Sequence, residues 1–295
     1  MNTPQLATLT TITAEIAMAL HPILIKQVGV NLPTQLLARL GIYSLLGAAF
    51  SGPKDRAFSW GSFPVAFQSI LYGLMNLVHI GSSYLSYQYL PAGSALALYY
   101  LSPFFNILAG ILFLGESLNL FVLGLMILAF TGVILISKYT KDGKGNSQET
   151  KDSNTNHVWF GIAAALVSAF TESMIFLIAK TGEEPTPWLP ILKLYPAAFA
   201  GILAWIGLSG ASLDISLKNW IPLILFNIFI GFLGYSLRFW SIPRLPTAIF
   251  SILTFIGVVA GYSWGRLYAK EIPSPGAFLG ALLITGAIGL LKLNK

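Results

Sequence analysis

Apolar residues fill ten windows of this chain, each close to the roughly 20 residues that an α-helix needs to cross about 30 Å of hydrocarbon. The windows run at approximately 5–25, 35–51, 64–88, 94–114, 118–137, 158–179, 188–208, 219–239, 246–268 and 275–292. Turn chemistry separates them at Asn31-Leu32-Pro33, Ser51-Gly52-Pro53, Pro185-Thr186-Pro187 and Pro273-Ser274-Pro275. The pattern predicts an all-α integral membrane protein with ten transmembrane helices. One long hydrophilic stretch, rich in Lys, Asn, Ser, Asp and Gly, interrupts it, and its composition reads as a solvated linker. The predicted organisation is a five-helix half at 1–138, a linker at 139–157 and a second five-helix half at 158–295.

The two halves are copies. Lys26, Pro33, Leu40 and Gly47 recur 154 positions later as Lys180, Pro187, Leu194 and Gly201. Further along the offset becomes 155, where Leu90, Pro91, Gly110 and Glu116 recur as Leu245, Pro246, Gly265 and Glu271. Leu and Gly matches are cheap in so apolar a chain, whereas shared Pro, Lys and Glu landmarks are not. An odd number of spans per half forces opposite insertion, so the expected architecture is an inverted repeat about an axis in the membrane plane.

Composition agrees. The chain is 55% hydrophobic and 9% charged, against about 25% charged in soluble domains. Of 17 basic and 11 acidic residues, seven lie at 138–152, which leaves the windows nearly free of charge. The formal net charge of +6 is membrane-flanking Lys and Arg rather than a nucleic-acid footprint. Cysteine is absent, which excludes thiolate chemistry and Cys-based metal sites. The first window lacks a basic leader and holds Glu15, so it reads as a spanning helix and not a cleaved signal. Lys and Arg divide eight against eight between the two sides, so charge leaves the orientation open.

Between 89 and 136 stand Ser102-Pro103, Gly115-Glu116 and a glycine-bearing helix from Gly124 to Gly132, with Arg39 near the start of the second window. In these features the chain resembles the drug/metabolite transporter superfamily, EamA type. The second half departs from the motif, with Val258 in place of the proline and Lys270-Glu271 in place of Gly-Glu. The resemblance implies ten helices around a central cavity, alternating access and cytoplasmic termini in the cell (inner or plasma) membrane. It says little about substrate.

Polar groups at membrane depth carry the candidate chemistry, because an ionisable side chain there costs about 2.5–3.5 kcal/mol on insertion scales. Glu15 and Glu172 occupy neighbouring sectors of repeat-related helices and are candidates to hold a proton or a cationic group. Tyr72, Asn76, His79 and Ser83 form a polar stripe flanked by Gln68 and Ser86. The same positions 155 residues on include Asn227 and Arg238. Tyr99, Ser102 and Asn106 share a face in the 94–114 window, where Pro103 frees a backbone carbonyl. Bonding between helices is the plain alternative for Asn and Ser, and snorkelling for Arg238. Glu116 and Glu271 read as caps of the helices that follow them. His21-Pro22 reads as a kink, Gly257, Gly261 and Gly265 as a packing face, and His157 as part of the linker.

These residues point to a secondary transporter of a small polar organic solute, with an amino-acid-like zwitterion suited to carboxylates and a guanidinium together. Its expected partners are that solute, a proton as candidate coupling ion, and membrane lipid. Nucleic acid and cofactors are not expected, and the chain is a monomer or homodimer. A nucleotide-sugar or phosphate-ester exchanger would need several interior Lys or Arg residues. A passive channel or membrane scaffold is the alternative of another class. An enzyme is disfavoured, because the chain lacks HExxH and holds three histidines in all. A P-loop is absent as well.

Overall fold

The computed structural model describes residues 3–21, 23–24, 28–60, 63–90, 92–117, 119–139, 155–181, 186–214, 216–268 and 274–291. Pro22, Lys26, Pro91, Pro185, Lys270, Glu271, Pro273 and most of the expected linker fall outside them. Among the described residues, helix is the one regular element and it occupies every apolar window. In order these are α1 (Thr3–Met18), α2 (Leu32–Phe50), α3 (Pro53–Trp60), α4 (Phe63–Tyr89), α5 (Ala92–Tyr99), α6 (Ser102–Leu114) and α7 (Leu120–Tyr139). Then follow α8 (Thr155–Lys180), α9 (Trp188–Ser209), α10 (Leu217–Phe226), a π-helical segment (Asn227–Phe232) and α11 (Leu233–Ser241). The chain closes with α12 (Thr247–Thr254), α13 (Ile256–Tyr268) and α14 (Pro275–Leu290). His157 lies inside α8, its ring 5.6 Å from that of Tyr89, so the hydrophilic segment ends sooner than its composition suggests.

Among the described residues, six stretches are long and apolar enough to cross a membrane: Ala97–Leu114, Leu120–Tyr139, His157–Lys180, Trp188–Ser209, Leu217–Arg244 and Thr247–Tyr268. Burial is inverted relative to a water-soluble protein. Glu15, Arg39, Asn76, His79, Asn106, Glu172, Asn227 and Arg238 are buried, while Leu120 and Leu208 are 76% and 89% exposed. Apolar surface on that scale is stable in lipid, and polar side chains there must turn inward. The protein is therefore a multi-pass integral membrane protein.

The chain forms two compact units, each drawing on both sequence halves: Met1–Gly81 with Ile178–Arg244, and Ser82–Leu177 with Leu245–Lys295. In the first unit, side-chain caps join distant loops. Asn31 Oδ1 accepts from the Thr34 amide at 3.1 Å, and its Nδ2 donates to Ser212 O at 2.8 Å. The Asp214 amide donates to Thr34 Oγ1 at 2.8 Å. These bonds satisfy orphan groups at the start of α2 and fix the loop that leads into α10.

In the second unit, α7 and α14 meet where glycine allows it. A Cβ on Gly132 would stand 2.5 Å from Gly280 O, so backbones touch at the small-residue contact that membrane helices favour. The Gly115-Glu116 pair has a clear physical role. Gly115 ends α6 in the left-handed conformation (φ 65°), a conformation that costs glycine little. Glu116 then accepts from the Thr247 amide at 3.2 Å and from Thr247 Oγ1 at 2.8 Å. It caps α12, and the helix that follows Glu116 is capped by Asn119, whose Oδ1 accepts from Phe121 N at 2.9 Å. The expectation of a capping glutamate is right in kind, but the capped helix is a distant one.

Candidate functional site

The first unit holds an ionic centre. Gly234 lets α11 close on α1, since a Cβ there would lie 2.6 Å from Met18 Cγ. The helices run antiparallel, so one turn further along α11 Arg238 comes level with Glu15. Its Nε stands 3.2 Å from Glu15 Oε1, and both residues are buried. Arg238 therefore meets a carboxylate and does not snorkel to an interface. Arg39, also buried, lays its guanidinium carbon 5.3 Å from the Tyr235 ring centroid and 5.7 Å from that of Tyr43. The Tyr43 ring lies 4.8 Å from Tyr195 and 5.8 Å from Phe232. Each desolvated cation–π contact is worth up to about 2 kcal/mol. Gly231 sits where any side chain would collide with the Tyr43 hydroxyl. It belongs to the π-helical segment, a local widening of the kind often found at functional sites. Asn227, at the start of that segment, donates to Leu223 O at 2.8 Å, and its Oδ1 is buried without a hydrogen-bond partner.

The expected stripe of the 64–88 window is divided. Asn76 and His79 are buried, Tyr72 and Ser83 are half-buried, and Gln68 is exposed. Gly73 permits α4 to touch α9, because a Cβ there would stand 2.9 Å from Ala198 N. This close approach brings Asn76 Nδ2 to Leu194 O at 3.1 Å. Asn76 thus bonds to a neighbouring helix, the plain alternative for an asparagine at membrane depth. His21 packs edge-on against Phe226, with ring centroids 4.7 Å apart.

The second unit gathers Tyr99, Ser102, Asn106 and Glu172. The 94–114 window breaks between α5 and α6, with Pro103 in the first turn of α6. The 246–268 window breaks comparably at Phe255, where no proline stands. Ser102, Asn106 and Glu172 are buried and Tyr99 is half-buried. Ser173, next to Glu172, and Ser251, in α12, are fully buried as well. Glu15 belongs to one unit and Glu172 to the other.

Gly261-Tyr262-Ser263-Trp264-Gly265 fits the spacing of a hydrolase nucleophile elbow. Ser263 lies within α13 and its hydroxyl donates to Val259 O at 2.9 Å. A nucleophile elbow needs a strand-to-helix turn, so the match is accidental. Among the described residues no group of three His, Cys, Asp or Glu could hold a metal.

Among the described residues the protein is a helical membrane protein with buried ionic and polar centres. Residues 5–138 match the EamA-like transporter family. That match supports a likeness to EamA-type proteins of the drug/metabolite transporter superfamily. The chain is similar to the uncharacterized transporter YxxF of Bacillus subtilis (strain 168), 25% identical over 68% of this chain and 61% of that one. The chain thus spans less than two thirds of that relative. It is also similar to the pseudopaline exporter CntI of Pseudomonas aeruginosa (strain UCBPP-PA14), 23% identical over 76% of this chain and 74% of that one. A crystal structure at 18% identity superposes with a TM-score of 0.73 over 98% of both chains, a likeness of fold alone.

Proposed function

We propose that this protein is a secondary transporter of a small zwitterionic metabolite, an amino acid or a close relative of one. Its two halves, 1–138 and 158–295, joined through 139–157, act as inverted five-helix repeats that rock in alternating access. The ten helices surround a central substrate path in the cell membrane, with both termini cytoplasmic. Ion-gradient drive enters through the buried carboxylates Glu15 and Glu172. The similarity to a pseudopaline exporter supports the reading as a transporter.

One observation carries the reading, the buried pair of Glu15 and Arg238 at 3.2 Å. A zwitterion exchanges partners with such a pair at no change in net charge. Its ammonium takes Glu15 and its carboxylate takes Arg238, so neither buried charge is left alone. Arg39 in the same unit also suits an anionic phosphate ester, the runner-up, but Glu15 beside Arg238 repels a dianion. Radiolabelled amino-acid uptake into proteoliposomes tests the proposal. Saturable flux that falls at least tenfold in Glu15→Gln and in Arg238→Gln is expected. Undiminished flux in both variants, or flux that never saturates as in a channel, sinks it.

A further inference from the structure

In the second unit, helix registers bring three buried oxygens together. A Cβ on Gly110 of α6 would lie 3.3 Å from Thr247 of α12, and Tyr100 stacks on Phe255 at 5.8 Å, so the two segments run antiparallel. Asn106 precedes Gly110 by one turn and Ser251 follows Thr247 by one turn, which sets Asn106 opposite Ser251. Helix α8 closes the third side, with Phe170 at 6.0 Å from Phe105 and Phe176 at 5.3 Å from Phe250. Ser173 lies midway along α8 between those phenylalanines, about 60° in bearing from each, which sets it near the level of the other two. Asn106 Oδ1, Ser173 Oγ and Ser251 Oγ are each buried without a hydrogen-bond partner, and Glu172 is buried beside Ser173.

The backbone is interrupted nearby. The Phe255 amide donates to Ile252 O at 3.2 Å instead of one turn back to Ser251 O, which accepts from Thr254 Oγ1 at 2.8 Å. An amide oxygen is purely an acceptor, so its burial calls for a donor or a cation. Hydroxyl, amide and carboxylate oxygens are hard ligands. One carboxylate neutralises one positive charge, so a divalent ion would leave a net charge in a desolvated place.

We propose that Asn106, Glu172, Ser173 and Ser251 form a binding site for a monovalent alkali cation, which serves as the coupling ion. The proposal rests on the reading of the chain as a gradient-driven transporter and narrows that ion from a proton to a metal cation.

Thermal unfolding of the purified full-length protein in detergent, followed by tryptophan fluorescence, tests it without transport. NaCl, KCl and choline chloride are compared at one ionic strength, at pH 6 and pH 8. Sodium or potassium is expected to raise the midpoint by roughly 3–5 °C over choline, and the arms identify which ion binds. Asn106→Ala and Ser251→Ala should raise the half-saturating concentration about tenfold. Ser251→Thr, which keeps the oxygen, should restore it, and Thr285→Ala, on an exposed hydroxyl of α14, should leave it unchanged. Equal midpoints in all three salts, stabilisation that follows pH alone, or an unaltered response in Asn106→Ala and Ser251→Ala overturns the site. Cation binding without amino-acid flux would instead remove the transporter reading and leave the site standing.

Discussion

Glu15 of α1 and Arg238 of α11 form an ion pair at 3.2 Å inside one compact unit, with both side chains withdrawn from the surface. The pair joins the first helix to one near the end of that unit's chain. Removing one partner leaves the other charge buried, a change that costs about 3–5 kcal/mol, while a matched apolar replacement of both is often neutral. Glu15→Leu and Arg238→Met should each lower the midpoint of thermal unfolding sharply. The double variant should unfold closer to the parent, and equal losses in all three would show that the pair is uncoupled.

Glu116 sets the start of α12 from a distance, through the Thr247 amide and hydroxyl. Loss of a side-chain cap costs about 0.5–2 kcal/mol. Glu116→Ala should therefore destabilise the second unit by about 1 kcal/mol. Thr247→Val, which keeps the amide and the shape, should cost less. Thermal midpoints rank the two, and an equal effect would mean that the hydroxyl carries the whole contact.

How far the sequence reveals this structure depends on whether a contact is local. That the apolar windows are helical follows from hydrophobicity alone, and the break before α6 follows from Pro103. The break at Phe255 has no proline to announce it. Asn119 as the cap of α7 is a local motif, whereas the partner of Glu116 lies 131 positions away and no spacing rule reaches it. Both members of the ionic pair stand out as intramembrane charges. The repeat register sets Glu15 against Ala169 and Arg238 against Ser83, because internal symmetry relates equivalent positions and says nothing of which helices pack. Ser173 and Ser251 are inconspicuous as single serines, and only the fold shows that both are fully buried.

Glycines on one helix face test where backbones touch. Gly132 meets Gly280 O, whereas Gly124 on the same helix has open space around it. Gly132→Ala should cost about 1–3 kcal/mol by overpacking. Gly124→Ala should be neutral or slightly stabilising, because alanine favours helix over glycine by about 1 kcal/mol. Thermal midpoints of the two variants in detergent give the comparison, and a similar loss in both would deny the α7–α14 contact.

The repeat register also matches Asn76 with Gly231 and His79 with Gly234, which suggests polar groups lost from one half. The structure gives the glycines a different role: Gly234 admits Met18, and Gly231 admits the Tyr43 hydroxyl. Gly231→Ala should therefore displace Tyr43 and disturb the ring on which the Arg39 guanidinium rests. Removing the hydroxyl relieves the worst of that collision, although the ring carbon that bore it would still stand 3.0 Å from the new Cβ. Gly231→Ala should destabilise the first unit by about 1–3 kcal/mol. Tyr43→Phe added to it should recover about half of the loss. Tyr43→Phe alone reports the hydroxyl's own contribution, so the three thermal midpoints close a double-mutant cycle. A coupling near zero would mean that the π-helical segment yields to the methyl group and leaves Tyr43 in place.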